Sequence, residues 1–370
     1  MSLPVFTPVV DGLPETVPFV GPEALERRSG IPIRARLGAN ESGFGPSPQV
    51  VAALTATAAE VWRYPDPENH DLRHALAQQL AVQMDEVVIG EGIDGLMSVL
   101  VRLFIAPGDV VVTSLGAYPT FNYHVTGFGG DLRYAPYRND RNDLEALAAL
   151  VRSSGARMVY LCNPDNPMGS FWPAAEVEAF LAAVPETCLV VLDEAYGETA
   201  PSGTLPPIDT SRPNLVRLRT FSKAYGLAGL RCGYAIGNAR LIRAFERIRN
   251  HFGVNRQAQV AALAALADRA HLDWAVAAIH EANNRITTIA RNAGLQPLPT
   301  ATNFVTVDCG RDGAYAMAVL RALANHGVFI RKPMAPGLDR CIRISAGPSA
   351  ELDILEEVLP LALREAQGAA

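Results

Sequence analysis

Short apolar runs alternate with amphipathic stretches along most of the chain. Runs rich in Val, Ile and Leu are typical of strands that are buried on both faces of a parallel sheet. Between two of them, Val177, Phe180 and Leu181 recur at helical spacing and form one apolar stripe. The predicted strands are 86–89, 109–113, 158–162, 189–192 and 214–219. This alternation predicts an α/β fold with its site at the carboxyl ends of the strands.

The two ends of the chain depart from this pattern. The first twenty residues contain four prolines and no basic start, which predicts an extended arm rather than a signal peptide or a spanning helix. After residue 239 the chain is rich in Ala-containing helical stretches with short strands between them. The helical stretches are 239–249, 255–291 and 350–365, and the strands lie within 297–308, 327–331 and 341–345.

One lysine stands just beyond a predicted strand, in a stretch from Thr220 to Gly233 that contains two hydroxyls and an arginine. Because strand ends present their side chains to a cleft, Lys223 is a candidate functional residue. It can be a surface charge, a phosphate ligand, or an amine that forms a Schiff base when burial or nearby cations lower its pKa. The lysine alone leaves these three alternatives open.

Three other stretches supply the groups that a pyridoxal phosphate Schiff base requires. A buried run ends in Asp193, and an anion there would keep a pyridinium nitrogen protonated, so that the ring acts as an electron sink. Asn166 lies in a Pro/Gly turn that would hold its amide rigidly. Residues 92–95 open a helix, whose free N–H groups and dipole favour a phosphate. Together with Lys223, these groups indicate pyridoxal phosphate as the cofactor.

Two local motifs suggest other chemistry. Gly90, Gly92 and Gly95 match the GxGxxG pattern of dinucleotide sites, but no clear acidic residue follows a second strand at about 20 residues, and the lysine would have no role. We therefore reject a dinucleotide site. His70 and His74 have the spacing of a helical metal pair, but no third ligand is evident, so we expect no metal.

With these residues in this order, the chain resembles the fold type I pyridoxal-phosphate-dependent aminotransferases, and most closely the histidinol-phosphate aminotransferase group. The resemblance spans nearly the whole length. Besides the stretches above, it is carried by Leu37-Gly38-Ala39-Asn40-Glu41, Tyr64-Pro65-Asp66-Pro67, Asp193-Glu194-Ala195-Tyr196 and Ile342-Arg343-Ile344-Ser345.

The resemblance also implies the architecture. It implies an α/β fold with a large domain and a smaller α+β domain. The large domain is expected to contain a mainly parallel sheet of the seven-stranded type, flanked by helices. We place an N-terminal arm that contributes to the small domain at 1–44, the large cofactor-binding domain at 45–260, and the small C-terminal domain at 261–370.

The resemblance implies a role for each candidate cofactor residue. Lys223 is expected to form the internal aldimine and to move a proton at the substrate Cα, while Asp193 pairs with the pyridine nitrogen. Tyr196 and Asn166 are expected to donate to the phenolate oxygen, and Tyr118 to stack on the ring. The phosphate is expected on the backbone of Ile93 and Asp94, on Thr220, Ser222 and Arg231, and on Tyr64 from the neighbouring subunit of a homodimer.

On the substrate side, the resemblance implies that Arg343 binds a carboxylate and that Gly38 and Asn40 line the site. The residues alone leave alternatives open. Arg343 could form a structural salt bridge, Asn40 could belong to a turn that caps its own backbone, and Tyr64 could be a packing aromatic.

The implied reaction is amino transfer between an L-amino acid or a histidinol-phosphate-like amine and a 2-oxo acid such as 2-oxoglutarate. A substrate phosphate would need a second anion site, for which Arg331 or Arg36 could serve. Residues 41–44 differ from the Glu-Asn-Pro-aromatic pattern that is more frequent in the family, so the exact substrate stays open. The alternatives are an aromatic amino acid aminotransferase, a lyase of the threonine-phosphate decarboxylase type, and a non-enzymatic regulator.

Composition and charge limit the classes of partner that the chain can bind. The 370 residues are 49% hydrophobic and 19% charged, with a net charge of −6 and no Lys/Arg-rich run. The chain therefore lacks the clustered positive charge that binding to nucleic acid or anionic membranes requires, and besides a second copy of itself we expect only small-molecule partners. The five cysteines are scattered without CxxC spacing, which indicates free thiols in a reducing cytoplasm. A regulator would need an appended DNA-binding module, for which the segment before residue 37 is too short.

Overall fold

The structure is a computed structural model that describes residues 4–15 and 20–368. Part of the predicted N-terminal arm, residues 1–3 and 16–19, lies outside the described residues. Within the arm, Pro8–Asp11 forms a short helix rather than extended chain, because the Thr7 side chain accepts from the Val10 N–H and Pro8 suits a first helical turn.

Helices pack against both faces of the central sheet. The region predicted as one helix-rich stretch at 255–291 contains two helices, because Asp268 interrupts it and caps the second by accepting from the His271 N–H. The helices are α1 Pro8–Asp11, α2 Pro22–Ser29, α3 Pro48–Thr57, α4 His70–Leu80, α5 Gly92–Phe104, α6 Pro119–Gly127, α7 Leu144–Ser154, α8 Ala174–Ala183, α9 Ala239–Phe245, α10 Arg256–Ala267, α11 Arg269–Asn292, α12 Gly313–Asn325 and α13 Ser349–Gly368.

The strands are short and mostly buried. The strand predicted within 327–331 spans only two residues. The strands are β1 Ala35–Arg36, β2 Val87–Gly90, β3 Val110–Ser114, β4 Asp131–Ala135, β5 Tyr137–Arg138, β6 Arg141–Asn142, β7 Met158–Cys162, β8 Leu189–Asp193, β9 Leu215–Thr220, β10 Gly233–Gly237, β11 Gln296–Pro297, β12 Phe304–Asp308, β13 Val328–Phe329 and β14 Cys341–Ser345.

The central sheet has the strand order β2-β10-β9-β8-β7-β3-β4. Strand β10 is antiparallel to both of its neighbours, and the other adjacent pairs are parallel. Every residue of β7 and β8 is buried, because α5 and α6 cover one face of the sheet while α7 and α8 cover the other. The predicted mainly parallel, seven-stranded sheet is confirmed.

A second, smaller α+β region holds the C-terminal strands. Strands β11, β12 and β14 form an antiparallel sheet, and β1 pairs in parallel with β13. Helices α11, α12 and α13 pack against these strands. Strand β1 places part of the N-terminal segment next to β13 in this region. The division into an arm at 1–44, a large domain at 45–260 and a small domain at 261–370 stays a prediction. Among the residues that the structure describes, no helix is long and apolar enough to cross a membrane.

Candidate active site

The carboxyl ends of β7, β8 and β9 lie side by side and enclose a cavity of about 220 Å³. Parallel strands end at the same edge of a sheet, so residues far apart in the chain meet there. Most of the predicted cofactor residues line this cavity. They are Ile93, Asp94, Tyr118, Asn166, Asp193, Tyr196, Thr220, Ser222, Lys223 and Arg231.

A larger cavity of about 510 Å³ shares Lys223 and Tyr118 with the first one. Its wall comes from β14, from the segment after β13 and from the N-terminal loop. Three of its side chains carry positive charge in addition to Lys223. These are Arg331, Lys332 and Arg343.

Lys223 follows the last residue of β9 by three positions and is largely withdrawn from solvent. Its Nζ donates to the Asn40 carbonyl at 3.2 Å. Burial is the main cause that lowers the pKa of Lys223 to about 8, and the positive charge of Arg343 adds to this shift. The amine is therefore partly neutral at neutral pH, and the surface-charge alternative is wrong.

Asp193 is the last residue of β8 and is 2% exposed. Burial raises its pKa to about 6, although two hydrogen bonds oppose this shift. Tyr160 Oη donates to Oδ2 at 2.6 Å, and the Ala195 N–H donates to Oδ1 at 2.9 Å. The sequence prediction missed Tyr160, and the only available signal was a hydroxyl-bearing aromatic in an otherwise aliphatic strand.

Thr220, Ser222 and Arg231 lie together near the N-terminus of α5, and we call this group the anion cradle. Ser222 Oγ accepts from Thr220 Oγ1 at 3.0 Å and from Arg231 Nη1 at 3.3 Å, and Arg231 Nη2 lies 3.4 Å from Asp94 Oδ2. A Cβ atom at Gly92, where φ is +71°, would lie 2.5 Å from Arg231 Nη2. The positive φ favours glycine, and a side chain there would also displace the guanidinium. A helix N-terminus, two hydroxyls and a guanidinium fit a phosphate group.

Asn40 connects the N-terminal loop to the cavity, with φ of +54°. Its Nδ2 donates to Tyr196 Oη at 2.9 Å, and its Oδ1 accepts from Ser345 Oγ at 2.9 Å. The side chain thus bonds to distant residues rather than to its own turn. Gly38 is required by packing, because a Cβ atom there would lie 2.6 Å from the Phe329 ring.

Arg343 lies on β14, with its guanidinium in the larger cavity. Nη1 donates to Asn166 Oδ1 at 2.5 Å and Nη2 to the Gly38 carbonyl at 3.3 Å, while Nε is buried without a hydrogen-bond partner among the described residues. Burial lowers its pKa to about 10, so it remains charged at neutral pH. Within residues 4–15 and 20–368 it forms no ion pair with a carboxylate, which speaks against the structural salt bridge.

The other candidates have different surroundings. Arg36 pairs with Glu23 and Glu41, at 2.5 Å and 2.7 Å, and lines neither of these two cavities. Arg331 lines the larger cavity, and its Nη2 donates to the Val20 carbonyl at 3.2 Å.

Tyr64 is the one predicted cofactor residue that the single chain does not bring to Lys223. Its side chain is 80% exposed and packs on Phe252, with ring centroids 5.0 Å apart. The predicted helical histidines, His70 and His74, stack on each other with ring centroids 6.3 Å apart. In the part of the chain that the structure describes, no three His, Cys, Asp or Glu side chains are grouped to hold a metal ion.

Comparisons with known proteins identify related sequences and solved structures. The family model for aminotransferase class I and II matches residues 33–359. The crystal structure of histidinol-phosphate aminotransferase from Sinorhizobium meliloti, in complex with pyridoxal-5'-phosphate, is 55% identical with a TM-score of 0.95, over 98% of each chain. Histidinol-phosphate aminotransferase from Moorella thermoacetica is 36% identical over 93% of this chain and 88% of its own. Histidinol-phosphate aminotransferase 1 from Nitrosococcus oceani is 37% identical over 95% of both chains.

Proposed function

Since the chain belongs to the class I and II aminotransferases, we propose that it uses pyridoxal phosphate to transfer an amino group from a donor of the histidinol-phosphate type to a 2-oxo acid such as 2-oxoglutarate. One observation carries the assignment. The partly buried amine of Lys223, with its lowered pKa, shares a cavity with the buried carboxylate of Asp193 and the anion cradle at Arg231.

The residues of the cavity fit the cofactor. When bound, pyridoxal phosphate supplies an aldehyde that accepts amines and a ring that delocalises electrons from the substrate Cα. Thr220, Ser222 and Arg231 would hold its phosphate, with the backbone of Ile93 and Asp94 at the N-terminus of α5. Asp193 would hold the ring nitrogen, and Tyr118 would cover the ring.

The remaining groups would manage protons and orientation. Lys223 Nζ would hold and move the proton at the substrate Cα, because a partly neutral amine can both accept and return a proton. Tyr196 and Asn166 would donate hydrogen bonds to the phenolate oxygen of the cofactor. Asn40 fixes the Tyr196 hydroxyl, so the N-terminal loop supports the site indirectly.

The larger cavity supports an anionic substrate. Arg343 has an unused Nε donor among the described residues, and Arg331 and Lys332 add positive charge along the same wall. A donor with a phosphate and an acceptor with carboxylates could use this wall in turn. An amino acid with an aromatic side chain would use it less fully, which favours the histidinol-phosphate type of donor.

The same proposal includes a homodimer in the cytoplasm. The exposure of Tyr64, together with the exposed Trp62 and Phe252, supports a second copy of the chain that covers this patch and receives Tyr64 at its own phosphate cradle. The five cysteines are free and buried, as expected in a reducing compartment.

The chain contains only two lysines, Lys223 and Lys332, and this permits a sharp test. We expect borohydride reduction of the cofactor-loaded protein to attach the cofactor to the peptide with Lys223 alone. Lys223→Ala should abolish the attachment and the turnover, whereas Lys332→Ala should retain the attachment. Attachment to Lys332, or turnover by Lys223→Ala, would contradict the assignment.

The substrate is tested by single-turnover absorbance with four donors. We expect glutamate and histidinol phosphate to convert the bound cofactor rapidly to pyridoxamine phosphate, and phenylalanine to do so slowly. A preference for phenylalanine would identify an aromatic amino acid aminotransferase instead. Release of carbon dioxide from threonine phosphate, without pyridoxamine phosphate, would identify a lyase.

A further inference from the structure

A tyrosine outside the predicted site contacts the central carboxylate. Tyr160 is buried on β7, next to the strand that ends in Asp193, and its hydroxyl lies 2.6 Å from Asp193 Oδ2. We propose that Tyr160 is a positioning residue that keeps the Asp193 carboxylate ionised and fixed for the ring nitrogen of the cofactor. This inference rests on the proposed function, since it assumes that pyridoxal phosphate binds there.

The proton of this hydrogen bond belongs to the tyrosine. Burial, followed by the negative charge of Asp193, raises the pKa of Tyr160 well above its usual value. The pKa of Asp193 is about 6, so at neutral pH the carboxylate is the acceptor and the phenol is the donor. Such a bond stabilises the ionised form of Asp193 selectively.

The position of the Tyr160 hydroxyl is fixed by packing. The ring stacks on Phe121, with centroids 4.6 Å apart and an interplanar angle of 17°. In the β7–β8 register, Tyr160 is opposite Val191 and Cys162 is opposite Asp193. Tyr160 and Asp193 therefore project to the same face of the sheet, since side chains two residues apart along a strand share a face. A rigid donor holds the carboxylate in one orientation.

The other groups around Asp193 do not replace this bond. The negative charge of Asp94 raises the pKa of Asp193, whereas the positive charge of Lys223 lowers it less than the hydrogen bonds from Tyr160 and the Ala195 N–H do. The titratable groups that face Asp193 come from β7, α5 and the segments after β3, β7, β8 and β9. They are Tyr160, Cys162, Asp94, Tyr118, Asp165, Tyr196 and Lys223.

The test removes one hydroxyl and leaves the ring. In Tyr160→Phe we expect the pKa of Asp193 to rise by about one to two pH units, because hydrogen bonds to charged groups are among the stronger ones. The dissociation constant of pyridoxal phosphate is measured by equilibrium dialysis between pH 5 and pH 9. The pH at which affinity is lost should move upward by the same amount, and affinity at pH 7 should fall about twofold to tenfold.

A matched control is available in the neighbouring buried pair, where Tyr137 Oη donates to Asp165 Oδ1 at 2.9 Å. Tyr137→Phe also removes one buried hydroxyl, and it should leave the pH profile of cofactor affinity unchanged. An unchanged profile in Tyr160→Phe, or an equal shift in both variants, would overturn the inference. If the wild-type protein bound no pyridoxal phosphate at all, the proposed function would fail rather than this inference.

A double-mutant cycle separates positioning from packing. If Tyr160 acts through Asp193, then Tyr160→Phe should weaken cofactor binding no further in an Asp193→Asn background. The kcat of Tyr160→Phe should fall while the KM for glutamate stays within about twofold. Additive losses in the double variant would show that Tyr160 acts independently of Asp193, and this outcome would also overturn the inference.

Discussion

Two buried aspartates lie at neighbouring strand ends of the same sheet, but of these two only Asp193 lines the cavity that also holds Lys223. Asp193 ends β8, and Asp165 follows β7 by three residues. Both are at most 2% exposed, both accept a hydrogen bond from a tyrosine, and burial raises the pKa of each to about 6. Burial and a raised pKa therefore do not distinguish the carboxylate that is proposed to bind the cofactor from its neighbour.

The difference lies in how the protein uses their oxygen atoms. Asp165 Oδ1 accepts from Tyr137 Oη and from Asn142 Nδ2, and its Oδ2 accepts from the Met168 N–H. These donors come from β5, β6 and the turn after β7, so Asp165 ties three segments together. A carboxylate has about four acceptor positions, and most of those on Asp165 are used within the protein.

Asp193 has fewer partners and a different exposure to the cavities. It accepts one hydrogen bond on each oxygen, from Tyr160 and from the Ala195 N–H, and it lines the cavity that also holds Lys223. Acceptor capacity thus remains on a carboxylate that faces a cavity. Unused hydrogen-bond acceptor positions that face a cavity, rather than burial, indicate which of the two carboxylates can bind a ligand.

The sharpest test of this contrast is the pair of isosteric changes Asp193→Asn and Asp165→Asn. We expect Asp193→Asn to lower kcat by roughly a hundredfold to a thousandfold, because it removes the anion that is proposed to face the ring nitrogen of the cofactor. Asp165→Asn retains an oxygen acceptor and should keep kcat within about threefold. The kcat of each variant is measured by a steady-state assay of amino transfer, on protein whose fold has been verified. Equal losses of kcat would remove the distinction between the two carboxylates.

Truncation of the two side chains should have the opposite order of effects on stability, with the larger loss at Asp165. Asp165→Ala would leave Tyr137 Oη, Asn142 Nδ2 and the Met168 N–H without an acceptor, and buried unsatisfied donors are costly. We expect the free energy of unfolding to fall by about 3 kcal/mol, as measured by urea denaturation of the cofactor-free protein.

Asp193→Ala serves as the comparison for this measurement. It leaves only the Tyr160 hydroxyl and the Ala195 N–H unpaired, so its loss of stability should be smaller. A larger loss for Asp193→Ala than for Asp165→Ala would mean that Asp193 is the more important structural residue.

Much of this site was predictable because strand ends are visible in the sequence. A buried apolar run that stops at a charged residue indicates a carboxyl end, and parallel strands bring such ends together. Lys223 and Asp193 were located in this way. Their neighbour Asn166 was located by the Pro/Gly turn that holds it.

The partners of these residues were not predictable, because they depend on strand register and on contacts between distant segments. Tyr160 is 33 positions from Asp193 and reaches it only through the pairing of β7 with β8. Asp165 stood beside Asn166 in the same turn, and nothing local showed that Tyr137 would use its carboxylate. The contacts of Arg343 with Asn166 and with the Gly38 carbonyl likewise join distant segments, and no local pattern predicted them.

The pH dependence of the free energy of unfolding can be assigned to Asp193 alone by comparing the wild type with Asp193→Asn. The folded pKa of Asp193 is about 6, above its ordinary value, so ionisation of this group destabilises the cofactor-free protein. The raised pKa of Asp193 contributes fully to the free energy of unfolding below about pH 4. This contribution is lost as the pH rises toward 6, and above pH 6 it does not change further. Asn cannot ionise, so Asp193→Asn should be more stable than the wild type above pH 6 by on the order of 2 kcal/mol, and this gain should disappear near pH 4. Urea denaturation of both proteins at several pH values measures it, and a gain of the same size at pH 4 and pH 7 would show that ionisation of Asp193 is not its cause.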